Sequence, residues 1–432
     1  MKRAIIIIIA GLGFQTSWAQ PPLTLPEAVN LALRNRLELQ IARNNVDAAV
    51  INNDIGIAGG LPTVSATITD NETASATSQK LNTGETNKRG LTLGNNLSAA
   101  ATGSLLLFNG FRVVATKHRL EELQKLSEFQ LNSQVQNIIG EVMLQYYDIV
   151  RQQDYVRTLT QSIAAAQERL TIIKVKQSVG LANNADLFQA QIDVNTVYQS
   201  LQQQSLVIAQ AKTALLSFMG LNPDSAIHIS DTIVVNRNLD LATVEDALKN
   251  YPDYQAAQTQ IYINQYIEKE TAAQRYPTIR ANAGLNYSRS QSAGGLTLLN
   301  RSVGPSLGLS VNIPIYNGGI YRRQEQVAQI NTRNATLQRD VLYEQLKTQV
   351  ASSYEAYSSN LIQVDSAYQN YQLAAKLLNL TLLRFRLGQA TIIEVRNAQQ
   401  SFEQQGFQLV NLGYAAKTAE ITLDRLAGKL TY

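Results

Sequence analysis

The sequence predicts a mainly α protein with a membrane β part, in which a long helical hairpin and a pair of strands each occur twice. Three observations predict it. Two proline-free stretches far exceed the length of a globular helix, a constant offset relates the two halves of the chain, and hydrophobic periodicity switches twice from the helical spacing to a spacing of two.

Composition narrows the class first. Charged residues make up 16% of the 432, against roughly 25% in an ordinary soluble domain, yet mean hydropathy is −0.14, so Gln, Asn, Ser and Thr fill the gap. That argues against a helical membrane bundle. The absence of Cys removes disulfides, thiolate metal sites, a Cys nucleophile and an acylated lipoprotein Cys. His118 and His228 lie far apart, so no metal site or cofactor is expected. The net charge of +4 is spread along the chain with no basic arm, which argues against nucleic acid as a partner.

At the start, Lys2 and Arg3 precede an apolar run from Ala4 to Phe14, followed by Ser17-Trp18-Ala19. This reads as a secretory signal peptide, residues 1–19, cleaved after Ala19. The run is too short for the roughly 20 apolar residues of a membrane anchor.

None of the nine prolines falls in residues 112–219 or 319–432. From Arg112 to Val179 the only Gly is Gly140, and from Ile320 to Leu387 there is none. Each stretch can therefore be one helix of roughly 100 Å. Apolar residues at Val156, Leu159, Ile163, Ala166, Leu170 and Ile173 form a coiled-coil seam, which calls for neighbouring helices alongside. A Gly and a shorter helix follow each time, giving hairpins over 112–219 and 319–427. The hairpins superpose residue for residue. Phe108-Asn109-Gly110 matches Tyr316-Asn317-Gly318, Gly180 matches Gly388, Ala190-Gln191 matches Ala398-Gln399, and Gly220 matches Gly428, at a constant offset of 208 (388 − 180, 428 − 220). A duplication without net insertion follows.

Upstream of each hairpin lies a strand pair, about 62–108 and about 277–316. In the second, Ile279, Ala281, Ala283, Leu285 and Tyr287, then Val303, Leu307, Leu309, Val311, Ile313 and Ile315, alternate with Arg280 and with small, mostly polar residues. In the first, Val64, Ala66 and Ile68, then Leu91, Leu93, Leu97, Ala99, Ala101, Leu105 and Leu107, alternate with small, mostly polar residues. The later strand of each pair reads as ~13 residues, against roughly 9 to 11 for a tilted transmembrane strand. A soluble sheet packed on helices would also alternate, but its polar face would carry more Lys and Glu than this one does. In lipid, open edges are not tolerated, so four strands per chain require several chains to share one barrel. Eight strands from a dimer and twelve from a trimer both satisfy this.

The paired tips Val179-Gly180-Leu181-Ala182-Asn183-Asn184-Ala185-Asp186-Leu187 and Leu387-Gly388-Gln389-Ala390-Thr391-Ile392-Ile393-Glu394-Val395, with the opening Leu23-Thr24-Leu25-Pro26-Glu27-Ala28-Val29, closely resemble the TolC-type outer-membrane efflux proteins. The resemblance runs nearly the length of the mature chain. It implies a homotrimer with a twelve-stranded barrel in the outer membrane of a Gram-negative bacterium, surrounded by outer-membrane lipid and continuous with a trimeric α-barrel tunnel into the periplasm. It implies a periplasmic adaptor protein and an inner-membrane pump, proton-driven or of the ABC type, as partners. The chain would be the passive exit duct of a tripartite efflux or type I secretion system. It carries no phosphate-binding loop or catalytic constellation, so no enzyme is expected. The first repeat covers 20–221 and the second 243–432, with 222–242 as a linker in an equatorial belt.

The resemblance also implies two sets of site residues. Asp186 and Glu394 fall where the family rings its tunnel constriction with acids, while Asn397 replaces the family's second acid, Phe385 its tyrosine and Ala390 its arginine. The family's polar gate links cannot form in the same way, which leaves packing around Phe385, Leu387 and Ile393, or partners for Arg384 and Arg386. Both acids can equally be helix caps, because Thr391-Ile392-Ile393-Glu394 is a capping box and Asn183 stands three residues before Asp186. Val179, Gly180, Leu181, Leu387, Gly388 and Gln389 form the adaptor-docking tips. Gly alone would explain a turn, and exposed Val and Leu beside it favour a partner. Two other readings compete: a periplasmic adaptor, normally with one hairpin and no lipid-type strands, and a structural coiled-coil envelope protein, which would not conduct.

Overall fold

The computed structural model describes residues 22–292 and 297–430; the signal peptide expected over 1–19 lies outside them. Helix α1 (Leu25–Asn35) opens with a complete capping box, in which Thr24 and Glu27 exchange side-chain and backbone hydrogen bonds. After α2 (Leu37–Asn52) come β1 (Thr63–Lys80) and β2 (Thr86–Phe108), then α3 (Arg112–Ser178) and α4 (Asn184–Phe218). The second half repeats the order. Helices α5 (Leu241–Ala247) and α6 (Pro252–Ala273), joined by a turn of 3-10 helix, lead to β3 (Thr278–Ser292), β4 (Leu299–Asn312), α7 (Ile320–Arg386) and α8 (Ile392–Leu426).

The duplication is metrically tight. Helices α3 and α7 each have 67 residues, and α4 and α8 each have 35. Four helices end in the same motif, at Gly180, Gly220, Gly388 and Gly428, each in the left-handed region. At each, the Gly N–H reaches the carbonyl three residues back and the next N–H the carbonyl five back. This pair of bonds satisfies carbonyls that the end of a helix leaves free. Entry into the long helices is also shared. Gly110 and Gly318 have φ of 70° and 67°, and the next residue, Gly319 in one repeat, is Phe111 in the other, at 64°. A side chain rarely adopts that φ; here Phe111 packs edge-on against Phe108.

The chain forms two compact units. One comprises Glu38–Gln134 and Asp246–Thr348 and holds the sheet; the other comprises the N-terminal segment to Leu37, Val135–Glu245 and Gln349 onward and holds both hairpin tips.

The sheet is antiparallel in the order β1-β2-β3-β4, so β1 and β4 are edges with unpaired backbone. Its register sorts the two faces. Ile68, Ala99, Tyr287 and Val303 form one row across the sheet, and Ala66, Ala101, Leu285 and Pro305 form another on the same face. Val64, Ile68, Leu307 and Leu309 stand far out on this face, Leu307 at 89% exposure. The opposite face is polar and bonded to itself: Ser65 to Thr102, Asn282 to Ser310 and Asn286 to Ser306, each at 3.1 Å.

Two strand limits differ from the sequence reading. Strand β4 stops at Asn312, so Ile313 and Ile315 lie beyond the sheet, where Pro314 offers no N–H to a ladder. Strand β2 has 23 residues rather than ~13, because Thr86–Arg89 continues to pair with Thr77–Lys80 past a bulge after Ser75. That extension is polar on both faces, so no alternation announces it.

In the other unit, the segment 222–240 has no regular secondary structure and is tied down by side chains. The buried Tyr146 hydroxyl donates to the Leu23 carbonyl and the Asp231 carboxylate, and Leu23 N–H donates to the His228 carbonyl at 2.7 Å. Burial and Asp231 push the Tyr146 hydroxyl far above its ordinary pKa, so it remains a donor. Further along, Asn236 N–H donates to Glu420, and Arg237 grips Asp365 with two hydrogen bonds.

Candidate functional site

The two hairpin tips have the same construction. At the first, Gly180 N–H bonds the Gln177 carbonyl and Leu181 N–H the Lys176 carbonyl; at the second, Gly388 bonds Phe385 and Gln389 bonds Arg384. Both glycines have φ of 77° and open space where a Cβ would sit. The backbone angle alone therefore demands glycine there. Val179, Leu181 and Leu387 are each more than 60% exposed, and Gln389 is exposed beside them. All six tip residues thus lie on exposed turns.

The return helices begin with caps. Asn183 Oδ1 accepts the Asp186 N–H at 2.8 Å, and Thr391 Oγ1 accepts the Glu394 N–H at 3.2 Å. Beyond that the two acids diverge. The Glu394 carboxylate takes the Thr391 N–H at 2.5 Å and its hydroxyl at 3.0 Å. Those bonds, the backbone one foremost, hold the Glu394 carboxyl below its usual range. The Asp186 carboxylate, half-buried, engages no partner among the described residues. Glu394 is therefore committed as a cap and Asp186 is not. Asn397, the third polar position, lies exposed on α8.

Phe385 is buried in an apolar cluster with Ile173, Ala190, Leu382, Val395 and Phe402. Lys176 lies over its ring, 4.1 Å from the centroid, and donates to its carbonyl at 2.6 Å. A cation at the carbonyl end of α7 is well placed against the helix dipole. Arg386 forms an ion pair with Glu168 of α3, and Arg384 Nη2 donates to the Gln389 carbonyl at 2.9 Å. Packing on Phe385 and partners for both arginines are thus present, whereas Leu387 and Ile393, expected to pack with Phe385, are exposed.

Further up the same helices lies a polar layer that the seam of Val156, Leu159, Ile163, Ala166, Leu170 and Ile173 does not contain. Ser162, Ala166, Arg169 and Ile173 also step by four and three along α3, and each is at most 1% exposed. Arg169 reaches Asp193 of α4 at 2.7 Å, while its Nε and Nη1 have no partner. Ser162 donates to Glu403 of α8 and accepts from Gln399 at 2.7 Å. The spacing of Ser162 and Arg169 from Ala166 and Ile173 was the available signal, but polar identity excluded them from an apolar seam. Among the described residues no group of His, Asp and Glu could hold a metal ion.

Similarity to known proteins covers the whole of this architecture. A family model described as "Outer membrane efflux protein" matches residues 28–221 and 243–429, one segment per repeat. The chain is 22% identical over 330 residues to "Outer membrane efflux protein BepC" of Brucella suis biovar 1 (strain 1330), which covers 76% of this chain and 71% of that one. It is 21% identical over 413 residues to "Toxin and drug export protein A" of Aggregatibacter actinomycetemcomitans, covering 92% and 84%. Among solved structures, the Campylobacter jejuni CmeC outer membrane channel superposes with a TM-score of 0.79 at 17% identity, covering 99% of this chain and 93% of that chain.

Proposed function

The chain belongs to the outer membrane efflux protein family, and from that premise we propose how its own residues serve the activity. The protein is an exit duct of an efflux or secretion system in the outer membrane. The observation that supports the rest of the reading is the sheet: four strands, one apolar face, one hydrogen-bonded polar face of small residues with Arg280 near its helical end, and two unpaired edges. Lipid does not tolerate such edges. Three copies close them into a barrel of twelve strands, with the apolar rows outward and the Asn and Ser rows lining the lumen. The helical hairpins of the three copies form a tunnel, and the segment 222–242 belongs to a belt around that tunnel. The precursor is exported by its signal peptide and cleaved after Ala19.

The duct is passive, and an inner-membrane pump supplies the energy through a periplasmic adaptor. The adaptor engages the tips at Val179, Gly180, Leu181, Leu387, Gly388 and Gln389, where apolar side chains stand exposed on rigid turns. The uncommitted carboxylate of Asp186, once per subunit, supplies the charge ring of the constriction and favours cations. Glu394 acts first as a cap, Asn397 adds a neutral polar contact, and Phe385 provides the packing that holds the end closed.

Two measurements test this. Purified protein in a planar bilayer should conduct, and a photo-crosslinker at Gln389 in the native envelope should capture an adaptor. Because the end rests closed, Phe385→Ala is recorded beside the unaltered chain; absence of conductance from intact trimers of both would exclude the duct, while conductance with no adaptor captured would leave a free-standing channel.

A further inference from the structure

On β3 and β4 the apolar face is broken by an arginine pair, while β2 continues apolar on that face at Leu97, Leu93 and Leu91. In the sheet register Arg289 of β3 stands directly opposite Arg301 of β4, in the alternate row just beyond Tyr287 and Val303. The two-residue period places both on the face of Ile279, Leu285, Leu307, Leu309 and Val311. Like charges directly opposite on neighbouring strands repel. Neither β3 nor β4 contains an Asp or Glu to offset them. On its other side Arg289 faces Leu97. It donates to Gln291 at 3.0 Å, but its solvent-shielded Nε has no partner. Arg301 makes no hydrogen bond or ion pair among the described residues. The row continues to Asp70 on β1, but Leu97 intervenes and Asn95 holds the Asp70 carboxylate at 2.6 Å.

The level of the pair along the strands identifies what it meets. Helices join the strands at Thr278 and Asn312, and the pair lies toward the opposite, hairpin end. Between these limits the apolar rows run from Ile279 and Val311 to Tyr287 and Val303, which matches the roughly 9 to 11 residues a tilted strand needs to cross the hydrocarbon. The next row therefore lies where acyl chains give way to headgroups on the outer side, with Tyr287 as its interfacial aromatic. Phosphates are the fixed negative charges of that layer, and a guanidinium fork matches a phosphate with two parallel hydrogen bonds.

We propose that Arg289 and Arg301 form a binding site for the phosphate of an anionic lipid in the outer leaflet. The inference rests on reading the sheet as part of a transmembrane barrel. Each copy in the assembly carries one such site, and the bound phosphate relieves the repulsion across β3 and β4.

The test uses the full chain as its detergent-purified oligomer, beside the double variant Arg289→Gln/Arg301→Gln and the charge-preserving Arg289→Lys/Arg301→Lys. Each is incubated with diphosphoryl lipid A, with its dephosphorylated form, or with inorganic phosphate. Retained lipid is counted by native mass spectrometry, thermal stability is followed, and bilayer conductance is measured on the same preparations. The expected result is that the unaltered chain retains the phosphorylated lipid several-fold better than the Gln variant, with the Lys variant between them. Dephosphorylated lipid should not distinguish the proteins, and inorganic phosphate alone should not stabilise any of them.

Equal retention by the unaltered chain and the Gln variant would overturn the site. So would stabilisation by inorganic phosphate equal to that by lipid, which would mark a free-anion site. Loss of the oligomer without lipid in the Gln variant, reproduced by Asp70→Asn/Glu72→Gln, would instead assign the arginines to the β1 edge of a neighbouring copy. A conducting protein that ignores the phosphate overturns the lipid site alone, whereas a protein that never conducts overturns the barrel reading with it.

Discussion

At the residue scale, Asp186 and Glu394 occupy the same position in their repeats, yet their carboxylates differ in what they bond. Glu394 is held by Thr391, so Glu394→Ala removes the reciprocal half of the capping box and should lower the unfolding temperature while changing conductance little. Asp186→Ala should change ion conductance and cation preference while leaving the melting temperature nearly unchanged, since Asn183 retains its cap. Single-channel recording beside calorimetry separates the two. The pH dependence has a definite sign. Because the Glu394 carboxyl is depressed in the folded state, its contribution is fully present above the ordinary carboxylate range and is lost as pH falls through the depressed value. Glu394→Gln keeps an acceptor for the cap without titrating, so its stability should vary less on acidification. Arg169 offers a stronger case. Removing it alone, as Arg169→Ala, leaves a cavity and an Asp193 held only by Gln189, at a cost of about 3 kcal/mol, the low end for a broken buried pair because Asp193 keeps that bond and some solvent contact. Arg169→Met with Asp193→Leu should recover most of that loss in denaturant unfolding.

At the element scale, the helix ends and the strand faces carry the fold. Gly180 and Gly388 have free space around them, so an added methyl meets nothing, and only the left-handed backbone resists it. Each Gly→Ala change should therefore cost about 1 to 2 kcal/mol, read as a lower unfolding temperature with the oligomer intact. The two sheet faces can be told apart by one charge. Leu307→Lys places an ammonium on the apolar face at a cost of about 2 to 4 kcal/mol near mid-membrane, whereas Ser306→Lys on the polar face should be tolerated. Yield of heat-modifiable oligomer in outer-membrane fractions reports this. Helix lengths were legible in the sequence because a missing proline is visible residue by residue. The end of β4 and the polar extension of β2 were not, because Pro314 acts through a missing hydrogen bond and the extension through pairing across a hairpin, and neither leaves a periodic trace.

At the scale of the whole molecule, the two unpaired edges decide what the chain must do. A sheet with one lipid-facing side and free edges is complete only when β1 of one copy pairs with β4 of another. The absence of native Cys makes this directly testable. Cysteines introduced on β1 and β4 of one chain should yield, on oxidation, covalent species that stop at three chains. A ladder ending at two would replace the trimer by a dimer with an eight-stranded barrel. The architecture is written in local rules: duplication, long hairpins, amphipathic strands and the glycine at each turn all follow from residue spacing and backbone freedom. Which equivalent residues differ in state is set by packing. Whether a carboxylate is held by its own cap, whether an arginine in a helical seam meets an aspartate, and which arginines face each other across two strands depend on neighbours distant in sequence, brought to a few ångströms by helix packing and strand register.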